Sequence, residues 1–231
     1  MLAMWRQCST SREQLVQDII SFCSNGREDI GSGWQRLAYP NRLMSSALTQ
    51  PERVFLTEHL SKSGKQFDET IDGLSVEQVR FKPAPDKWSV AECCEHVLLI
   101  ELRVFQMLRH LPDTGEDHPV AGKEEQMMQD VPARIKRFKA PDFVAPSGRW
   151  PSLDGLAEEF RKTREKMIRY AQTTADPLHK RFAPHMAFGV LSGYQWLVLL
   201  GLHTERHMIQ AAEVKADPAF PETQSPVATG Y

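Results

Sequence analysis

The chain has 231 residues, 28 basic and 30 acidic, for a formal net charge of −2, with 41% hydrophobic and 25% charged side chains. That balance excludes a wholly disordered chain, a fibrous protein and a strongly basic nucleic-acid binder. The longest apolar run, Trp196 to Leu202, has seven residues and includes Gly201, far short of the ~20 that span a bilayer.

The four cysteines, Cys8, Cys23, Cys93 and Cys94, form no CxxC pair, and a bridge between adjacent Cys93 and Cys94 would be strained. At the start of the chain Trp5, Arg6 and Gln7 interrupt the apolar stretch that a signal peptide needs. Both features predict a cytoplasmic protein. Residues 1–48 carry few apolar side chains and no clear period, which predicts an N-terminal extension, poorly ordered or loosely attached. A single domain follows at 49–216, and then a C-terminal tail, 217–231, that frays after Pro218.

From Pro51 the period is helical. Leu56, Leu60, Ser63, Phe67, Ile71 and Leu74 recur at steps of three and four, giving a first helix with one apolar stripe. Ser75 with Gln78 reads as the capping box of a short helix, and the loop Lys82 to Lys87 follows. The second long helix starts at the capping box Ser89–Glu92 and runs through Leu108 until Pro112 blocks it. Residues 112–151 hold six prolines and three glycines and leave room only for a short helix near 123–129.

The third long helix, Ser152 to about Ala175, buries Leu153, Leu156, Phe160, Met167 and Ala171, and Pro177 ends it. Its basic residues Arg161, Lys162, Arg164, Lys166 and Arg169 alternate with Glu158, Glu159 and Glu165, which reads as one solvated face. The fourth begins at Ser192, capped through Gln195, and runs to about Val214 before Asp217 and Pro218. No strand-period alternation of useful length appears, so no sheet is expected between residues 50 and 215. Four helices of about 20 residues with long crossover connections predict an all-α four-helix bundle.

Three histidines occupy positions where apolar side chains belong. Trp196, Leu199, His203, His207, Gln210 and Val214 share one face of the fourth helix, so His203 and His207 stack one turn apart. His96 shares a face of the second helix with Cys93, Leu99, Ile100 and Val104. A single core histidine needs only one hydrogen-bond partner, and an i,i+4 pair is frequent by chance. Three buried rings cost more, and a divalent cation relieves the conflict by taking a neutral nitrogen from each. Three imidazoles without a carboxylate suit Zn, Ni or Fe(II) rather than Mg or Ca. The spacing His203-Thr-Glu-Arg-His207 puts Glu205 about 200° round the helix from His203, unlike the zincin pattern.

Other residues read more plainly. Glu92 is a cap before it is a partner for His96, and Cys93 is a small buried thiol before it is a ligand. His185 is an ordinary loop histidine before it is a lining residue of the pocket mouth, His59 reads as a flank position, and Arg206 as an ion-pair or capping residue. Trp88 and Trp196 read as core anchors.

The stretch Phe81-Lys-Pro-Ala-Pro-Asp-Lys-Trp-Ser-Val-Ala-Glu92 with Glu95-His96 resembles the signature of the DinB/YfiT-like superfamily. Pro146-Ser-Gly-Arg-Trp150, Phe188-Gly-Val-Leu-Ser-Gly-Tyr-Gln-Trp196 and His203-Thr-Glu-Arg-His207-Met-Ile-Gln210 agree with it, so the resemblance covers about residues 50–215. It implies a four-helix bundle whose second and fourth helices bind a divalent metal, nickel or zinc, through His96, His203 and His207. Characterised members include bacillithiol transferases and mycothiol-dependent isomerases. The resemblance therefore implies a metal-dependent transferase or hydrolase acting on a small electrophile, with a low-molecular-weight thiol as co-substrate, and homodimerisation. A non-catalytic, stress-associated metal-binding bundle is the alternative. A DNA-damage role is disfavoured by the near-neutral charge.

Overall fold

The computed structural model describes residues 47–113, 118, 120–134, 138–150 and 152–222. The expected N-terminal extension lies, but for residues 47 and 48, outside the described residues. Among the described residues, six helices and one two-stranded ribbon follow in chain order: α1 (Gln50–Ile71), α2 (Val76–Arg80), α3 (Val90–His110), α4 (Lys123–Ala133), α5 (Leu153–Thr173), β1 (Phe182–His185), β2 (Gly189–Ser192) and α6 (Gly193–Lys215).

The helix starts are chemical. Glu52 accepts hydrogen bonds from the Thr49 amide (2.7 Å) and hydroxyl (2.8 Å) at the head of α1. Reciprocal capping boxes join Ser75 to Gln78, Ser89 to Glu92 and Ser192 to Gln195, satisfying amide donors that have no partner within the helix. Helix α1 packs on α5 and α6, and α3 also packs on α5 and α6. The first and second long helices therefore face each other across a diagonal of the bundle, as do the third and fourth. This arrangement requires the long crossovers.

Two apolar clusters stack along the bundle. One gathers Leu56, Leu60, Leu108, Met167 and Leu197; the other gathers Phe67, Val90, Leu98, Phe160 and Val214, with Phe67 and Phe160 stacked at 3.9 Å between ring centroids. A polar layer lies between them. Arg164, 4% exposed, binds Glu101, Leu60 O, Ser63 Oγ and Thr204 Oγ1. This corrects the reading of Arg164 as part of a solvated face: its partners come from three other helices, which the sequence of its own helix does not reveal.

Three further expectations change. Strands β1 and β2 form an antiparallel ribbon pairing Phe182 with Ser192 and His185 with Gly189. The bundle thus carries a small sheet that the sequence reading excluded, because four-residue strands are too short to register as alternation. Gly189 takes φ +64° at the turn, where a left-handed residue closes a short hairpin. Helix α4 continues past residue 129 to Ala133, because Met127 and Val131 bury in the core and Arg206 Nη1 donates to Val131 O at 2.9 Å. The tail after Pro218 is not frayed where it is described: Phe220 meets Phe81 edge-on at 5.5 Å and Gln78 Nε2 donates to Pro221 O at 2.9 Å. Among the described residues no helix is long and apolar enough to cross a membrane.

Candidate metal centre

Helices α3 and α6 bring His96, His203 and His207 together. One ligand-capable atom from each lies within 4.8 Å of the others, with ring centroids 5.1 Å apart for His96–His203, 4.7 Å for His96–His207 and 4.5 Å for His203–His207. His96 and His207 are buried, and His203 is half-buried at the floor of a cavity of about 720 Å³.

Hydrogen bonds fix two of the rings. His96 Nδ1 lies 2.8 Å from Val144 O, and His207 Nδ1 lies 3.1 Å from Gln210 Oε1. Each partner is an acceptor, so each Nδ1 carries the proton and each Nε2 keeps its lone pair. No described residue hydrogen-bonds His203. Burial, joined for His203 and His207 by neighbouring imidazoles and Arg206, holds all three rings neutral, with His203 and His207 well below the usual imidazole range. Three neutral nitrogens, two with their other nitrogen already engaged and one without a described partner, fit a transition metal.

Glu92 serves as the cap and pairs with Lys82; the acceptor that orients His96 is a loop carbonyl. Neighbouring Glu95, 4% exposed, accepts from the amides of Ser147, Gly148 and Arg149 at 3.0, 2.8 and 3.1 Å. Sequence reasoning missed this anchor, although a carboxylate inside the run Cys93 to Ile100 was a legible oddity.

Cys93 and Cys94 are free and buried; burial pushes the Cys93 thiol up to about 12, and neither joins the histidine cluster. Arg206 is a cap, on Val131 O. His59 packs against Gly201, with Nε2 3.0 Å from Val198 O, away from the cluster. Trp196 is buried, donates through Nε1 to Ala183 O, and also lines the cavity. Trp88 is more than a core anchor: it is half-buried, stacks on His207 at 5.8 Å and 28°, and lies 4.9 Å from His96. His185 belongs to β1 rather than a loop. It lines the cavity, and burial lowers it to about 4.

A helical bundle with three convergent imidazoles at a cavity floor defines a class of candidate metal-binding proteins. Residues 59–211 match the DinB superfamily model, and the chain belongs to that superfamily. It is similar to the uncharacterized protein YuaE of Bacillus subtilis (strain 168), 28% identical over 145 residues, covering 63% of this chain and 88% of YuaE. Among solved structures it is similar to YfiT of Bacillus subtilis, described as a probable metal-dependent hydrolase with an unusual four-helix bundle topology. That likeness has a TM-score of 0.49 at 10% identity and covers 77% of this chain and 92% of YfiT.

Proposed function

We propose that the protein is a metal-dependent enzyme, a transferase or hydrolase, in which His96, His203 and His207 hold a divalent Zn, Ni or Fe ion. The observation that carries this reading is the meeting of three neutral imidazoles at the floor of a substrate-sized cavity. Structural zinc sites usually close with four protein ligands, whereas catalytic sites keep a position open; among the described residues this cluster has three. A transition metal bound there supplies Lewis acidity that brings water or a thiol to its nucleophilic form near neutral pH.

The chain's own groups supply the rest. Val144 O and Gln210 Oε1 hold the proton on the outer nitrogens of His96 and His207, which keeps the inner nitrogens available. Apolar walls from Ile100, Val104, Phe143 and Leu199 favour a small electrophile with an apolar part. Cys93 and Cys94 are buried thiols with raised pKa, so any thiol nucleophile is a co-substrate.

The test is a screen of metal-loaded protein with several low-molecular-weight thiols against a chromogenic aryl halide, and with water against p-nitrophenyl esters. Chelation is expected to abolish turnover and leave helical circular dichroism nearly intact. Unfolding on chelation would show that the metal holds the bundle together and would overturn the enzyme assignment.

A further inference from the structure

His185 is a fourth histidine at the same cavity, outside the cluster of three. The ribbon fixes it: its backbone pairs with Gly189, and Lys123 Nζ clamps the turn by donating to Phe188 O (2.9 Å) and Val190 O (2.6 Å). The ring stacks on Phe188 at 5.3 Å and 25° and meets Trp196 edge-on at 5.3 Å. Its Nδ1 lies 3.2 Å from the Ala187 amide nitrogen. An amide N–H only donates, so Nδ1 is the acceptor and the ring proton of the neutral form sits on Nε2. No described residue accepts from that Nε2–H.

Three arginines at the cavity are engaged by the protein itself. Arg206 caps Val131 O, Arg134 pairs with Glu213 at 3.1 Å, and Arg103 lies 4.2 Å over the Phe143 ring. The half-buried ring lines the cavity, which is where an acceptor can reach its Nε2–H.

We propose that His185 Nε2–H is a specificity-determining hydrogen-bond donor of the cavity, and that the molecule bound there is an apolar or aromatic compound carrying an oxygen acceptor such as a carbonyl. This rests on the cavity being the substrate site of the function proposed above. It deepens that reading by assigning an acceptor-bearing substrate class and a residue that selects it. Because the ring is neutral, it donates without delivering a charge.

The experiment compares acetophenone with α-methylstyrene, which has the same shape but no acceptor, in NMR titrations of the zinc-loaded protein. Wild type should bind acetophenone about five- to tenfold more tightly, the worth of one neutral hydrogen bond. His185→Phe, which keeps a ring between Phe188 and Trp196, should bind both alike and hold zinc as wild type does. The 15N spectrum of free wild type should show His185 neutral and protonated at Nε2. Equal binding to wild type, binding of neither, a preference that survives His185→Phe, zinc loss from that variant, or a proton on Nδ1 would each overturn the proposal. Failure of the wild type to hold zinc would instead sink the metal reading, while the ligand comparison still decides the role of His185.

Discussion

His96 donates its Nδ1 proton to the carbonyl of Val144, so a loop 48 residues further along the chain sets the orientation of a helix-borne imidazole. The neighbouring Glu95 secures that loop by gathering three consecutive amides, those of Ser147, Gly148 and Arg149. Two adjacent residues of α3 thus do complementary things: one presents a nitrogen to the centre, and the other fixes the segment that orients it.

Glu95→Gln replaces a buried carboxylate by an amide whose NH2 faces backbone donors. It should cost about 2–3 kcal/mol of stability and weaken zinc binding ~10-fold through the loosened acceptor for His96. Guanidinium denaturation and competition with a zinc indicator measure the two effects. Zinc affinity equal to wild type would show that the loop does not orient the ring.

The polar layer makes a different prediction. Glu101 is 1% exposed; burial pushes its carboxyl up and Arg164 opposes that shift. Arg164→Leu leaves a buried carboxylate unpaired and should cost about 3–5 kcal/mol. Glu101→Leu combined with Arg164→Leu should recover much of that loss, since the pair's net worth is smaller than the penalty of breaking it. A double variant less stable than both singles would contradict this.

Most of the bundle was legible because its signals are local. Ser89 with Glu92 and Ser192 with Gln195 mark helix starts within four residues, and the spacing of Leu56, Leu60 and Phe67 marks a buried stripe. The positions of His203 and His207 gave the face of α6 that lines the cavity. Arg164 was not legible, since an arginine on a polar-looking helix is buried only because Glu101, Ser63 and Thr204 arrive from elsewhere. The ribbon was hidden by its shortness and by Pro184. With it went the role of His185, whose tautomer depends on a turn amide. The loop that orients His96 lies in a proline-rich stretch without period, where only tertiary contacts decide conformation.

Acidification should destabilise the metal-free protein. His96, His185, His203 and His207 are all held below the ordinary imidazole value of 6.5, His185 at about 4. Below 6.5 the unfolded chain binds protons that the folded chain refuses. The stabilisation is therefore complete above that pH and is lost as pH falls toward about 4, by at least ~1 kcal/mol per pH unit. Denaturation midpoints at about pH 7.5 and about pH 5 check the sign. An unchanged or higher midpoint at the lower pH would show that these rings accept protons in the fold.

Three imidazoles are proposed to hold one metal ion. Elemental analysis of purified wild type against the His203→Ala, His207→Ala double variant tests it most directly. Wild type should carry about one equivalent of a transition metal per chain and the double variant close to none, with circular dichroism still helical in both. The same metal content in both proteins would show that His203 and His207 do not hold the ion.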